Sequence, residues 1–454
     1  MRKNIATYLA LFVLLLAGVS CSSSDDETTV TTGSSYAYAY AFGIGNIKSP
    51  FHDFTAEGKD TIVERVVSGD EFKFIVDQKA KEIYNIDSLT YGTRVNRVVS
   101  QISCYGTPFR FDEALGSYVY FNTTDSVDFT SPVNVCIKST DGTYESFYTI
   151  KLNVHKVNPD LMVWEQFSDA ALNEVSPVKM FEHEGNVYMF GTDAAGNAAV
   201  AVTPAAGTPA WSVSGMSAPA AYDLSSLQLF NGKFYMLASG NVYVSEDALG
   251  WSLASDGNSF VSLFAISDNG TKMWAVGSNN LFYTTDGENF VQAEPLASDF
   301  PIYGCSFVNS SLSTNAGIGR TMLVGFADKE QAGEVQVWSR LSNNDEWYKY
   351  EFGNNKYNCP PLKGLAVLGY DNAMYALGGA AVVGEEIISP FEKFYISRDN
   401  GVVWKPCTDY AVSLPAGLKG SEEAFAATVS QGGYMWIATS ANVWRGRINR
   451  LGFK

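Results

Sequence analysis

A hydrophobic strand that recurs six times constrains the fold of this 454-residue chain more than any other feature. Each copy opens with methionine or an aromatic residue, and most copies follow a tight-turn group such as Asn231-Gly232-Lys233. The copies occupy residues 188–191, 235–238, 273–277, 322–325, 374–378 and 435–438. Such recurrence predicts a repeat architecture in which every copy packs against its neighbours.

One turn carries a more specific signal. Residues 397–404 read Ser-Arg-Asp-Asn-Gly-Val-Val-Trp, which is similar to the Asp-box of β-propellers, Ser-x-Asp-x-Gly-x-x-Trp. Ser397 and Asp399 are expected to accept hydrogen bonds from backbone amides, Gly401 to adopt a positive φ, and Trp404 to pack beneath the turn. Looser copies occur at Ser245, Asp247 and Trp251 and at Thr284, Asp286 and Phe290. Because Asp-boxes lie on outer blade edges, they indicate architecture rather than catalysis.

One aromatic residue per unit gives the number of blades. These residues are Trp164, Trp211, Trp251, Phe290, Trp347 and Trp404. Six strands and six aromatic residues predict a six-bladed β-propeller over residues 158–454, with seven blades as the alternative if the long intervals hide a degenerate unit. Trp164 precedes all six repeated strands, so we expect its strand to be the outer strand of the last blade. Closing the ring in this way removes exposed sheet edges.

The preceding segment, residues 36–157, contains short runs of alternating hydrophobic and polar residues, for example at 117–121 and 148–155. Asp141-Gly142 between these runs is a typical hairpin turn, because both positions tolerate positive φ. About seven such strands in a segment of this length are typical of an immunoglobulin-like β-sandwich. Aromatic residues make up 14% of the chain, which also contains 40 glycines, and this mixture favours strands and turns. The whole chain is therefore predicted to be all-β.

The amino terminus has the pattern of an export signal. Arg2 and Lys3 precede an apolar run at 8–17, three small residues and then Cys21. The run is too short to span a membrane. It resembles a bacterial lipobox, which predicts a signal peptide over residues 1–20 and a lipid on Cys21. Residues 21–35, rich in Ser, Thr and acidic residues, are expected to form a flexible tether. Their Ser-plus-acidic start is similar to the signal that places Bacteroidota lipoproteins on the outer face of the outer membrane.

Charge and residue usage exclude several classes of function. The chain has 31 basic and 48 acidic residues, a net charge of −17, so nucleic-acid binding is not expected. Its 3 histidines are too scattered to predict a metal site, and the cysteines beyond Cys21 show no CxxC spacing. We therefore expect no metal, no cofactor and no disulfide framework.

No catalytic motif stands out either. A sialidase would need three clustered arginines, and the arginines of residues 158–454 do not follow that family's pattern. Two pairs of adjacent carboxylates, Glu385-Glu386 and Glu422-Glu423, could in principle serve a glycosidase but are interpreted as solvated loop residues. The protein is predicted not to be an enzyme.

The order of these parts resembles a known family. A lipobox, an Ig-like segment containing residues 74–78 and 83–89, and a propeller are similar to Bacteroidota lipoproteins of the family of unknown function numbered 6242. The resemblance implies a lipid anchor in the outer membrane and brings no activity.

Binding is the predicted function, at loops around one mouth of the ring. The insertions at 327–334 and 379–392 are expected to build the recognition surface. Tyr303, Tyr357 and Phe391 would stack on sugar rings if the ligand is a glycan; a partner protein is the other candidate ligand. Two alternatives stay open: a glycoside hydrolase or sialidase-like enzyme with an unrecognised site, and a scaffold subunit of an outer-membrane complex.

Three short motifs in the first segment match the Bacteroidota pattern for O-glycosylation, Asp-Ser/Thr-aliphatic. Their acceptor residues are Thr61, Ser88 and Ser126.

Overall fold

The computed structural model describes residues 33–55, 60–331, 333–351, 357–407, 412–440 and 442–453. The predicted signal peptide, Cys21 and nearly all of the tether lie outside these residues. The described residues form two compact units. The first contains the chain up to Ile47 with Val66–Leu89 and Arg94–Asn153; the second contains Lys48–Arg65, Thr90–Thr93 and the chain from Val154 onward. Across the described ranges, no helix combines the length and apolar character that crossing a bilayer requires.

In the described part of the chain before residue 154, the structure has eleven strands. They are β1 (Tyr38–Ile44), β2 (Ile47–Phe54), β3 (Asp60–Val67), β4 (Phe74–Asp77), β5 (Glu82–Asn85), β6 (Val98–Tyr105), β7 (Thr107–Asp112), β8 (Ser117–Tyr120), β9 (Ser126–Val127), β10 (Val133–Lys138) and β11 (Glu145–Lys151), with a 3₁₀ turn at Gly69–Glu71. One sheet has the order β1-β6-β9 and another β4-β5-β11-β10-β7-β8, while β2 and β3 pair with each other. β5 and β11 run parallel, and the other pairs of the six-stranded sheet are antiparallel.

The core of the first unit lies between its two sheets. Phe42 on β1 contacts Phe74 on β4 edge to face, with ring centroids 4.9 Å apart. The predicted hairpin at Asp141-Gly142 is confirmed, because it joins β10 to β11 and Gly142 has a φ of 73°. The Asp141 carboxylate accepts a hydrogen bond of 2.9 Å from the Thr143 amide, which stabilises the turn.

The strands that follow residue 153 belong to the second unit. They are β12 (Met162–Phe167), β13 (Ser176–His183), β14 (Asn186–Thr192), β15 (Ala198–Pro204), β16 (Ser212–Gly215), β17 (Tyr222–Phe230), β18 (Lys233–Ala238), β19 (Asn241–Ser245), β20 (Ser252–Ser255), β21 (Ser262–Ser267), β22 (Lys272–Val276), β23 (Asn280–Thr284), β24 (Val291–Pro295), β25 (Tyr303–Leu312), β26 (Asn315–Phe326), β27 (Gln336–Leu341), β28 (Tyr348–Lys349), β29 (Ala366–Tyr370), β30 (Ala373–Leu377), β31 (Ala381–Val383), β32 (Glu386–Ile388), β33 (Tyr395–Ser397), β34 (Lys405–Pro406), β35 (Phe425–Ser430), β36 (Tyr434–Thr439) and β37 (Val443–Ile448). Short 3₁₀ turns occupy Ala170–Glu174, Ala416–Leu418 and Asn449–Gly452.

Apart from β31 and β32, which pair with each other, these strands form six four-stranded sheets in the described part of the unit. Five follow chain order: β13-β14-β15-β16, β17-β18-β19-β20, β21-β22-β23-β24, β25-β26-β27-β28 and β29-β30-β33-β34. The sixth has the order β35-β36-β37-β12. The first strands β13, β17, β21, β25, β29 and β35 contact one another in this cyclic order, and β35 returns to β13. The long intervals of the sequence contain the extended β25–β26 hairpin and the inserted β31–β32 hairpin.

The recurring hydrophobic strands are the second strands of the sheets, and a different set of strands begins each sheet. Each tight-turn group joins a first strand to a second strand. The second strands are buried on both faces, as in β30, where all five residues are buried. Most first strands are only half-buried, as in β29. Burial on both faces produces a continuous apolar run, so the second strands dominated the sequence pattern.

The predicted contribution of the Trp164 strand to the last sheet is confirmed. β12 pairs antiparallel with β37, and Trp164 lies opposite Gly446. The indole Nε1 donates a hydrogen bond of 2.7 Å to the carbonyl oxygen of Ser413. The start and the end of this unit are therefore held in one sheet.

Gly446→Val is expected to lower the free energy of unfolding by about 1–3 kcal/mol. A Cβ at Gly446 would overlap the Trp164 ring that covers it. Gly215→Val is the matched control, because a Cβ there meets no atom within 4 Å. Urea denaturation followed by tryptophan fluorescence measures the unfolding of both variants. The fluorescence reports on this unit because all 9 tryptophans follow residue 157. Equal effects of the two variants would contradict this account of the closing strand.

Candidate functional site: a cavity at the ring centre

A cavity of 1040 Å³ lies where the six first strands begin. Its wall is built from the first residues of these strands and from the segments just before them, such as 302–306 and 363–367. The two long insertions identified in the sequence also reach it, through Lys329 and Gln331 in one and Gly379, Ala380, Pro390 and Phe391 in the other. The volume suits a small ligand or the end of a larger one.

Side-chain to backbone hydrogen bonds join neighbouring first strands around the cavity. The Lys179 ammonium on β13 donates to the Leu227 carbonyl on β17 at 2.9 Å, and the Gln228 amide on β17 donates to the Leu263 carbonyl on β21 at 3.0 Å. Ser306 Oγ on β25 accepts from the amide of Val367 on β29 at 3.0 Å. These bonds satisfy polar groups that the first strands turn toward each other, and they fix the wall of the cavity.

Two titratable side chains in the wall have strongly shifted pKa values. Removal from water lowers the pKa of Lys179 to about 8. The same cause raises the pKa of Cys305 to about 12, although the nearby Lys179 charge opposes this. The Cys305 thiol is therefore protonated at neutral pH, and its Sγ lies 3.4 Å from the Pro301 carbonyl oxygen. A protonated thiol is a poor nucleophile and a poor counter-charge for the ammonium.

Of the three aromatic residues proposed from the sequence to bind a ligand, Tyr303 and Phe391 line the cavity. Tyr303 is half-buried at the start of β25. Phe391 is only 2% exposed and packs edge to face on Phe425, so little of its ring can reach a ligand. Tyr357 lies elsewhere: its carbonyl accepts a hydrogen bond from the Trp404 amide at 2.8 Å.

The candidate catalytic carboxylates occupy different places. Glu422 and Glu423 are exposed at the cavity, on the segment before β35. Glu385 and Glu386 are exposed on the β31–β32 hairpin. No arginine occurs among the described residues of the cavity wall, so the cavity does not assemble the arginine clamp of a sialidase there. Within the described ranges, no group of three or more His, Cys, Asp and Glu side chains could hold a metal ion.

The Asp-box residues lie away from the cavity, in turns between third and fourth strands. Ser397 Oγ accepts from the Gly401 amide at 2.8 Å, and the Asp399 carboxylate accepts from the Val403 amide at 2.9 Å. Gly401 has a φ of 85°, and Trp404 is 1% exposed. These are the interactions that the motif predicts.

The looser copies form similar turns, but their aromatic residues are less deeply buried. The Asp247 carboxylate accepts from the Gly250 amide at 2.9 Å, and the Asp286 carboxylate from the Asn289 amide at 2.8 Å. Ser245 and Thr284 donate to these carboxylates at 3.1 and 2.8 Å. Hydrogen bonds from side chains and amides of the turn, led by those of Asn289, hold the pKa of Asp286 well below its usual range. Their aromatic residues, Trp251 and Phe290, are only partly buried.

The proposed glycosylation acceptors fall in the first 130 residues. Thr61 on β3 and Ser88 are half-buried, and Ser126 on β9 is exposed. The five cysteines of the described chain are free thiols: Cys104, Cys136, Cys305, Cys359 and Cys407.

Sequence reasoning missed the polar groups of the cavity wall. Lys179, Asp223 and Gln228 belong to first strands, which precede the recurring motif and share no motif of their own. Only their position in the sequence could have identified them as residues of the site. Each lies on the strand that precedes a tight turn, and the turn is followed by a repeated hydrophobic strand.

Six sheets whose first strands contact one another in a cycle around a central cavity define the class of β-propeller proteins. Residues 158–454 match the family model described as the DUF6242 beta propeller domain. Residues 42–152 match the model of the DUF6242 N-terminal domain, a domain of unknown function. The chain belongs to the DUF6242 family.

Solved structures with similar coordinates include several proteins of low sequence identity. One is described as "Streptogramin B lyase structure", with 12% identity, a TM-score of 0.36, and coverage of 63% of this chain and 97% of that one. A gluconolactonase from Xanthomonas campestris has 10% identity and a TM-score of 0.37, covering 63% and 89%. The extracellular domain of the putative hybrid two component system BT4673 from B. thetaiotaomicron has 9% identity and a TM-score of 0.34, covering 89% and 64%. None of the curated protein sequences matches this chain.

Proposed function

We propose that this protein is a non-catalytic binding module that recognises a glycan at the central cavity. In this proposal, each of the six four-stranded sheets is one blade of the propeller. The observation that carries the proposal is the composition of the cavity wall. Aromatic rings of Phe181, Tyr303 and Phe307 lie in the same wall as the polar groups of Asp223 and Ser225.

This mixture matches the surface of a sugar. The faces of a pyranose ring carry C–H groups that pack on aromatic rings, and its edge carries hydroxyls that need hydrogen-bond partners. A carboxylate such as that of Asp223 accepts hydrogen bonds from hydroxyls. The insertions that contribute Lys329 and Pro390 extend the wall outward, which suits a ligand longer than one sugar.

Tyr303→Ala is expected to weaken glycan binding by about tenfold, because it removes an aromatic surface from the cavity wall. The experiment begins with a glycan array on the purified protein and continues with calorimetric titration of the glycan that binds. Tyr348→Ala is the matched control: Tyr348 is 45% exposed on β28 of the same sheet and lies outside the cavity wall. This variant should bind as the unchanged protein does.

Three results would count against the proposal. Saturable binding that Tyr303→Ala leaves unchanged would move the site away from the cavity. Binding to no glycan would favour the scaffold role. Release of a sugar from a bound glycan would identify an enzyme.

One observation favours the scaffold role as a second candidate. The β31–β32 hairpin exposes Val382 by 64% and Ile387 by 77%, next to the cavity residues Ala380 and Pro390. Exposed apolar side chains on an inserted hairpin are typical of a contact for another protein. Under this alternative, Val382→Ser would abolish capture of a protein partner and leave glycan binding unchanged.

We also propose that the chain is a lipoprotein anchored through Cys21 to the outer membrane and faces the cell exterior. The lipobox-like pattern and the acidic, Ser-rich residues after Cys21 support this placement. For the first unit we propose an immunoglobulin-like sandwich that acts as a spacer, supported by its two sheets and their shared core.

A further inference from the structure

Lysines that line the cavity differ from lysines elsewhere in the second unit. Lys233, Lys272 and Lys349 are each paired with a carboxylate, at 2.7, 2.8 and 2.5 Å. Lys179, Lys329 and Lys363 line the cavity, and within the described ranges none of them has an ion-pair partner. Lys329 and Lys363 are exposed to water, but Lys179 is half-buried, so its unpaired ammonium group in a protein with a net charge of −17 calls for a physical reason.

Lys179 carries the argument, because it is half-buried in the cavity wall. An ammonium group has three N–H donors, and the one protein acceptor that the structure gives Lys179 is the Leu227 carbonyl at 2.9 Å. The two titratable groups that interact with Lys179 are Cys305 and Asp223. Cys305 is a neutral thiol, and the Asp223 carboxylate accepts from the amide and hydroxyl of Ser225 at 2.9 and 2.6 Å. A desolvated cation without a directly bound anion is unfavourable, and an anion entering the cavity would remove this cost.

The same wall restricts how much negative charge a ligand can carry. Asp223, Glu422 and Glu423 also line the cavity, so its three ammonium groups face three carboxylates. A phosphate ester or a sulfated polymer would meet these carboxylates with strong repulsion. A singly charged ligand rich in hydroxyls would pair with Lys179 and donate hydrogen bonds to the carboxylates.

We propose that the cavity binds a glycan containing a uronic acid and that Lys179 pairs with the carboxylate of that sugar. This proposal rests on the proposed function, because it names the class of glycan that the same cavity takes. No bond is made or broken: the ammonium donates hydrogen bonds to the carboxylate, and the aromatic wall packs against the ring.

The test uses the whole protein on an array that contains glucuronate-bearing, galacturonate-bearing and neutral glycans. The uronate glycan that binds is then compared with its carboxyl-reduced form, which has the same ring and linkage without the charge. We expect reduction to weaken binding at least about tenfold. Lys179→Gln should weaken binding of the acidic glycan to a similar extent and leave the reduced form almost unaffected, while Lys233→Gln should change neither.

A proton measurement separates pairing from a purely structural role of Lys179. Near pH 8, where the free ammonium is partly deprotonated, binding of the carboxylate should draw a proton from the buffer. Calorimetry in buffers of different ionisation enthalpy detects this uptake, and Lys179→Gln should abolish it.

The outcomes distinguish the two proposals. Binding of neutral glycans with equal affinity, or uronate binding that Lys179→Gln leaves unchanged, overturns the uronate inference and leaves the proposed function standing. Binding to no glycan on the array overturns both.

Discussion

Arg340→Met is expected to lower the free energy of unfolding by about 3 kcal/mol. Arg340 is 2% exposed on β27, and its Nε and Nη2 donate to the two carboxylate oxygens of Asp268 at 3.0 and 3.2 Å. Asp268 lies in the turn between β21 and β22, so this pair joins two neighbouring sheets. The guanidinium also lies 4.8 Å from the ring centroid of Trp274. Methionine fills part of the space but leaves the Asp268 carboxylate largely desolvated, with Lys272 as its remaining charged partner among the described residues.

Lys233→Met provides the control for this prediction. Lys233 and Glu246 form an ion pair of 2.7 Å in the same unit, but their side chains are 45% and 77% exposed. A pair so accessible to water contributes less than about 1 kcal/mol. Urea denaturation followed by tryptophan fluorescence should therefore separate the two variants clearly. If Arg340→Met lowers the free energy of unfolding no more than Lys233→Met does, the Arg340–Asp268 ion pair does not join the sheets as described.

The contribution of Arg340 should also depend on pH. Burial alone would raise the pKa of Asp268, but hydrogen bonds and charges from Arg340 and Lys272 outweigh it and leave the pKa below its ordinary value. A carboxyl whose pKa is lowered by folding stabilises the protein above its unfolded pKa of about 3.9, and this stabilisation is lost as the pH falls through the folded value. The difference in the free energy of unfolding between Arg340→Met and the unchanged protein should therefore become smaller below about pH 4.

Trp404→Ala is expected to lower the free energy of unfolding by about 3–5 kcal/mol. Its side chain is 1% exposed and packs in the apolar cluster that contains Val337, Met374 and Tyr395. The indole Nε1 donates a hydrogen bond of 2.9 Å to the Gly401 carbonyl, so the ring both fills the core and holds the Asp-box turn. Alanine leaves a cavity under this turn and removes the hydrogen bond.

Trp404→Phe separates the two contributions. Phenylalanine keeps most of the apolar volume and loses the Nε1 donor, so we expect a cost of about 1–2 kcal/mol. Trp251→Phe tests a looser copy of the motif, where the indole Nε1 is buried without a hydrogen-bond partner in the described part of the chain. In Trp251→Phe, the loss of the Nε1 donor should therefore leave the free energy of unfolding almost unchanged. A larger cost for Trp251→Phe than for Trp404→Phe would contradict this assignment of the indole hydrogen bond.

The turns and the closing strand of the second unit could be predicted because their causes are local. Gly401 must adopt a positive φ, Asp399 must accept amide hydrogen bonds, and these requirements fix the residue types over eight consecutive positions. Trp164 could be assigned to the last sheet because it precedes all six repeated strands, which left that sheet without an outer strand of its own.

The strands that form the cavity wall could not be identified from the sequence, for an equally physical reason. A second strand such as β22, with four consecutive buried residues, lies between neighbouring strands and between neighbouring sheets. A first strand such as β13 turns one face to the cavity, where polar and apolar side chains are both tolerated. The sequence therefore carries a strong pattern for the second strands and no comparable pattern for the strands that form the site.

Local sequence alone determined an all-β chain, a repeated blade unit, the Asp-box turns and the strand that completes the last sheet, because each depends on backbone conformation or burial within a few residues. Only the tertiary structure decided that Lys179 and Cys305 share a cavity wall, and that Tyr303 lines this wall while Tyr357 does not. Those neighbours come from different sheets, and their proximity depends on how the ring closes.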